Sequence, residues 1–157
     1  MKSIFYNYRC NCCNISFKAP TLPGELYGEF IMRSSKSDEV VYLNSFNDSA
    51  FEEIEKLFKK NEMIKKTDRL KDAKFFQSIF SVCCDLANDG SSYHIGLLPI
   101  CPSCGSRDMA SWGSTNPPEF SEQDIKPVTH ERWNKLTIEE KKALVDEAVN
   151  NYFSKEK

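Results

Sequence analysis

The sequence predicts an α+β fold braced by four cysteines, and three observations carry that reading. Segments within residues 4–19 and 93–113 alternate apolar with polar side chains, the period-two pattern of half-buried strands. Two stretches between them, and one near the C-terminus, place apolar residues at helical spacing. Each strand region also carries a Cys-x-x-Cys pair, Cys10/Cys13 and Cys101/Cys104, and the two pairs stand almost ninety residues apart.

Taken in order, residues 4–8 read as a strand leading into the first cysteine pair, and residues 15–19 as its return, so that this pair caps a hairpin. Pro20, Pro23 and Gly24 break the pattern. Two further strands are expected over Leu26–Met32 and Val40–Phe46, with a polar loop at 34–38 between them. Ser49 and Glu52 have the spacing of a capping box, opening a helix with Phe51, Ile54, Leu57, Phe58 and Ile64 on its apolar face. A second helix is expected from Thr67 or Asp68 to about Leu86, with Leu70, Ala73, Phe76, Phe80 and Cys83 inward. Tyr93–Ile100 should be a strand delivering the second pair, and Met109–Trp112 a strand leaving it. Asn116-Pro117-Pro118 should be extended and stiff. Thr137 and Glu140 repeat the capping-box spacing before a final helix with Leu144, Val145, Ala148, Val149 and Tyr152 in its stripe, and Trp133 and Leu136 should pack where that helix begins.

The chain has 157 residues, 40% of them hydrophobic and 12% aromatic, enough for one domain (1–157) with a real core. Its organisation is two strand-and-cysteine halves at 4–19 and 93–113, an α/β insertion at 20–92, and a tail with a helix at 114–157. The formal charge of −2 and a pI near 5.8 give no global reason for nucleic-acid binding. No apolar run reaches the roughly 20 residues that cross a bilayer, and the first eight residues are too polar for a signal core. A cytoplasmic protein is expected. Seven cysteines cannot all pair internally, and in a reducing compartment paired Cys-x-x-Cys units read as metal ligands.

The chemistry of the two pairs follows from their spacing. One tight turn aims two sulfurs at one ion, so Cys10, Cys13, Cys101 and Cys104 together are expected to form a four-thiolate tetrahedral site, which suits zinc or a single iron. Pro102 pre-sets the second turn and Gly105 supplies its left-handed residue; Asn14 fills the corresponding place in the first. Cys12 is expected to be a free thiol pointing away. Cys83 and Cys84, adjacent on a helix, point about 100° apart and read as core thiols. His94 is a possible substitute ligand, and His130, in the tail, is read as having no cysteine neighbour.

These paired knuckles resemble those of a zinc ribbon, over residues 4–19 and 93–113. The chain departs from that pattern in its long insertion and in lacking glycine after Cys13. The resemblance implies zinc-ribbon-like β hairpins with structural Zn²⁺ as the ion held by Cys10, Cys13, Cys101 and Cys104. Rubredoxins share the knuckle but hold iron and lack such an insertion, which leaves an iron electron carrier as a remote alternative. Cys101-Pro-Ser-Cys104-Gly105, then Pro117-Pro118-Glu119-Phe120, then Val128-Thr129-His130 with Trp133 and Leu136, is loosely similar to small bacterial proteins that include toxin-immunity proteins. That resemblance implies a non-catalytic inhibitor that covers a basic toxin domain with acidic surface. Glu119, Glu122 and Asp124, a stretch without basic residues, are the expected partner contacts.

Enzyme chemistry is not expected. A catalytic zinc keeps an open position and a neighbouring base, whereas four cysteines close the shell. No phosphate-binding glycine loop, nucleophile elbow or His-Glu-x-x-His helix is present, and His94-Ile95-Gly96 lacks a deaminase's glutamate. Nucleic-acid binding remains an alternative. Its best candidates are Lys56, Lys59, Lys60, Lys65, Lys66, Arg69, Lys71 and Lys74, but Glu52, Glu53, Glu55, Glu62, Asp68 and Asp72 interleave with them and dilute the field.

Overall fold

β1 (Lys2–Cys10) organises half of the molecule in this computed structural model, which describes residues 1–23, 27–67 and 73–155. On one side it pairs antiparallel with β2 (Ser16–Thr21), from Ile4↔Thr21 to Arg9↔Ser16. On the other side it pairs with β6 (Met109–Ser114) along its C-terminal half and with β7 (Phe120–Asp124) along its N-terminal half. Both run antiparallel to β1, so β6 and β7 form one interrupted strand. Between them the chain loops out across Asn116–Pro117, a cis peptide. Thr115 holds the excursion: its Oγ1 donates to the Pro117 carbonyl at 2.9 Å and accepts the Glu119 amide at 2.8 Å. The expected extended linker is therefore a loop within a strand, and the acidic segment 119–124 is ordered on the sheet.

A second antiparallel sheet follows the order β4-β3-β5, from β3 (Glu29–Ser34), β4 (Val40–Asn44) and β5 (Tyr93–Ile95). Leu26, the expected start of β3, lies outside the described residues. β5 is shorter than predicted because Gly96 turns the chain at φ +88, a conformation that side-chain-bearing residues rarely adopt. The second cysteine pair consequently lies on a crossing from one sheet to the other, not at the tip of a second hairpin. After β7 the tail bridges both sheets. The Ile125 amide donates to the Met1 carbonyl at 2.9 Å, and the Val128 amide to the Tyr42 carbonyl at 2.8 Å.

The helices pack with this second sheet. α1 (Ser49–Lys60) begins one residue earlier than the capping box implies: Asp48 is the N-cap, accepting the Phe51 amide at 2.8 Å. The expected apolar face holds, since Ile54, Leu57 and Phe58 are buried. Asn61 then breaks the helix and caps the short α2 (Glu62–Lys65), accepting the Met63 and Ile64 amides. Its amide nitrogen also donates to Asp146 at 2.6 Å, fixing the break against the C-terminal helix.

The predicted second helix is corrected most. Thr67 closes α2, donating to the Ile64 carbonyl at 3.2 Å, while Asp68 and Leu70 lie outside the described residues. α3 (Ala73–Ile79) gives way at once to a 3-10 turn over Phe80–Cys83, and Cys84 is extended. Phe75 and Ile79 take the inward places and Ala73 is exposed, because a seven-residue helix follows its own packing and not a stripe extrapolated over twenty residues. Phe58 meets both Phe75 and Phe76 edge to face, at 5.5 and 5.4 Å.

α4 (Glu131–Asn134) is capped from a distance by Asp85, whose carboxylate accepts the Glu131 and Arg132 amides at 2.8 and 2.9 Å. It carries Trp133 into the core, 1% exposed, with the indole N–H donating to Glu53 at 3.0 Å. α5 (Ile138–Lys155) follows its capping box: the Thr137 amide donates to Glu140, and the Glu140 amide to Thr137 Oγ1. Val145 and Val149 are fully buried, with Leu144, Ala148 and Tyr152 packed beside them. No helix among the described residues is long and apolar enough to cross a membrane.

Candidate metal centre

The two cysteine turns are built alike, bond for bond. In the first, the Asn14 amide donates to the Cys10 carbonyl at 3.0 Å and the Cys10 amide to Ile15 at 2.9 Å. In the second, Gly105 donates to Cys101 at 2.9 Å and Cys101 to Ser106 at 2.8 Å. The residue after each second cysteine is left-handed, Asn14 at φ +70 and Gly105 at φ +77. Asparagine suffices in the first because Arg9 holds its side-chain oxygen from Nε and Nη2 at 3.0 and 2.8 Å. The turns are then tied together: the Asn11 amide donates to the Asp108 carbonyl at 2.9 Å, and its side chain to the Asp108 carboxylate at 3.1 Å.

This frame converges four sulfurs. Cys10 Sγ lies 3.5 Å from Cys104 Sγ, and Cys13 Sγ 3.5 Å from Cys101 Sγ. All four ligand atoms fall within 4.8 Å of one another, and the group could hold a metal ion. Sulfurs at about 2.3 Å from a tetrahedral ion stand about 3.8 Å apart, close to the two separations of 3.5 Å. Cys10 and Cys101 are buried in a small separate core with Tyr8, Ala19 and Met109, while Cys104 is exposed.

The electrostatics favour thiolates. The Cys13 backbone amide leads the groups that lower Cys10 to about 6. At Cys101, burial opposes ionisation, but the Cys104 and Ser103 amides bring the thiol below its ordinary value. Cys104 goes the other way: the Ser106 amide favours its thiolate, but the neighbouring sulfurs and burial push it up to about 12. Amides thus invite negative charge that the crowded sulfurs resist sharing, a balance suited to a cation between them.

Other predicted residues are placed as follows. Cys12 is exposed and outside the group, with Sγ 3.3 Å from Ser106 Oγ. His94 also stands apart; its Nε2 meets Ser92 Oγ at 2.7 Å. Glu119 is exposed but ion-paired with Lys18 at 2.8 Å, a cation that sequence proximity did not reveal. Glu122 and Asp124 are exposed, without an ion pair among the described residues. Lys56, Lys59 and Lys65 pair within the helices with Glu52, Glu55 and Glu62 at 3.2, 2.9 and 3.7 Å, and Arg69 and Lys71 lie outside the described residues.

The reading of His130 as lacking a cysteine neighbour is overturned. Its Nδ1 stands 2.7 Å from the Cys83 carbonyl, its Nε2 lies 2.7 Å from Asp48 Oδ2, and a ring nitrogen and the sulfurs of Cys83 and Cys84 lie within 4.8 Å of one another. Where the helix breaks, both sulfurs turn to the Phe80 carbonyl, Cys83 Sγ at 3.2 Å and Cys84 Sγ at 3.7 Å. Both ring nitrogens face acceptor oxygens, which describes an imidazolium. Burial disfavours that charge, but hydrogen bonds to Asp48, Cys84 and the Cys83 backbone raise His130 to about 10. The Cys83 side chain first, and then His130, lower Cys84 to about 7. Burial pushes Cys83 up. In the sequence, the only hint was that vicinal cysteines and a histidine lie far apart on segments both expected to face the core.

No family model, curated protein or solved structure matches this chain.

Proposed function

We propose that this is a non-catalytic zinc-binding protein that acts by binding another protein, most specifically as an immunity protein neutralising a bacterial toxin. Zinc is favoured because four sulfurs close a tetrahedral shell, leaving no position for substrate and suiting a structural ion. Such an ion would tie the β1–β2 turn to the connection that enters β6, two segments widely separated in sequence. The observation that carries the binding role is the interrupted strand β6–β7, which exposes Trp112 (53%) and Phe120 (66%) beside Glu119, Glu122 and Asp124. Large aromatics are the preferred anchors of protein interfaces, and acidic neighbours speed encounter with a basic partner. The nucleic-acid alternative is weakened by the paired lysines of α1 and α2.

The test is co-expression with the protein encoded beside this gene. Growth should be rescued from that protein's toxicity, and Trp112→Ala with Phe120→Ala should abolish rescue. Reversing charge at Glu119, Glu122 and Asp124 should weaken complex formation most at low salt. A neighbour that is not toxic, or rescue indifferent to all five positions, removes the immunity reading. Affinity for random oligonucleotides that falls steeply with salt would favour the nucleic-acid alternative.

A further inference from the structure

We propose that the cleft between the two sheets is a binding site for a small ligand with one phosphate or carboxylate end, received by Arg33 and Arg107. The cleft holds about 590 Å³ and is lined from both sheets, by Ser3 of β1 and Lys18 of β2 on one side and Arg33 of β3 and Val41 of β4 on the other. That volume lies within the roughly 300–1,000 Å³ typical of small-molecule pockets.

Its floor is an unfinished polar surface. Arg33 is 5% exposed, so its guanidinium is taken out of water, yet no carboxylate among the described residues pairs with it. One nitrogen, Nη2, donates to the Pro20 carbonyl at 2.9 Å, while Nε is buried with no partner. The only other orphaned buried side-chain atom among the described residues is Ser3 Oγ, on the same cleft. Buried polar groups are ordinarily satisfied, and a buried cation without a counter-charge is costly. Both atoms belong to residues that line one cavity, so the cleft carries two donors without an acceptor, beside the Tyr8 hydroxyl that also faces the Arg33 guanidinium.

A second guanidinium strengthens this. Arg107 is half-buried on the same cleft and is spent on carbonyls alone, donating to Leu98 at 2.7 Å and to Ser34. It anchors the chain just after the second cysteine turn beside the strand that carries Arg33. Burial acts on both guanidiniums in the same direction, against the charged form. The acids of the cleft do not answer this charge. Asp38 and Asp124 are exposed, and the Glu39 carboxylate is engaged by the Asn88 amide and Ser37 Oγ.

Within the cleft the charge is cationic, at Arg33 and Arg107, while at its mouth Asp38 and Asp124 stand with Lys18 and Lys126. An anionic head suits the floor, because the planar guanidinium fork matches phosphate or carboxylate oxygens. The mixed charges at the mouth leave the anionic head as the feature the cleft selects, on a ligand whose remaining end is neutral.

The test uses the full-length protein, titrated separately with inorganic phosphate and with butyrate, against chloride at matched ionic strength. At least one anion should raise Tm saturably, by about 3 °C or more at 10 mM. Arg33→Met should weaken that anion about tenfold or more, while its Tm in chloride stays level or rises because an uncompensated buried cation is gone. Ser3→Ala, which leaves the fold's own bonds intact, should weaken it about three- to tenfold. The stronger of the two probes identifies the head group. Neither anion exceeding chloride, or Ser3→Ala binding as the wild type does, overturns the site and leaves Arg33 a strap between the sheets.

Discussion

The molecule has two clusters of cysteine sulfur, and they are opposites. At the knuckles, four sulfurs lie on rigid turns whose amides point inward, at the edge of a small core, with no imidazole or carboxylate among them. Around Cys83 and Cys84, two sulfurs lie in the main core against His130, whose charge is already answered by Asp48. Both groups bring their ligand atoms within 4.8 Å. Proximity therefore does not separate a metal site from a packed ionic cluster. What separates them is whether the donors are already satisfied: the His130 ring has an oxygen at each nitrogen, whereas the knuckle sulfurs have chiefly one another.

The largest expected effect tests that distinction directly. Denatured protein should release about one zinc per chain. Cys104→Ser should release none and lower Tm by at least about 10 °C, because the ion's binding energy is folding energy. Cys83→Ser and Cys84→Ser should retain the full zinc content. Two zinc ions per chain, with one lost on changing Cys84, would erase the contrast between the clusters; iron with a red colour would change the ion assigned to the knuckles.

The core cluster should respond to pH instead of to chelators. His130 titrates at about 10 in the folded protein against an ordinary 6.5. A raised value means its stabilisation is fully present below about pH 6.5 and is lost as pH climbs through about 10. Asp48 and Cys84 face it most closely, and the Glu53 and Asp85 carboxylates also feel its charge. His130→Gln should cost about 3 kcal/mol at pH 6, as for one half of a buried pair. Denaturant titrations across pH should then show the gap to wild type narrowing towards pH 10. A gap constant with pH would mean that the ring contributes by packing alone. Cys83→Ala should cost less, about 1–2 kcal/mol for a small cavity, with no change in metal.

These clusters also show which features of the chain are legible in one dimension. The knuckles are, because their geometry is local: two cysteines, a turn, and a left-handed Asn14 or Gly105 all lie within five residues of one another. The capping box at Thr137 and the stripe containing Val145 and Val149 are local in the same way. Distant partners decide the rest. The strand β7 is alternately too polar to announce itself and exists by pairing with the start of β1, at Ile4↔Phe120. The end of α3 is set by the aromatic packing around Phe75 and Phe80, and the resulting 3-10 turn is what brings Cys84 round to His130. Arg33 lies one residue beyond the strand end expected at Met32, and only the approach of the other sheet buries it.

The smallest effect is expected inside the first cysteine turn. Cys12 sits between two proposed ligands, adjacent in sequence to Cys13, and is the one thiol there that any shuffled ligand set would recruit. Its sulfur instead faces outward to Ser106 Oγ at 3.3 Å. Serine can make the same contact with its hydroxyl, so Cys12→Ser should move Tm by less than about 2 °C and leave zinc content unchanged. Metal analysis is the decisive readout, because a change in the contact to Ser106 alone would alter stability slightly without shedding the ion. Loss of zinc would show that the first turn presents Cys12 in place of Cys13, and that its backbone does not mirror the second.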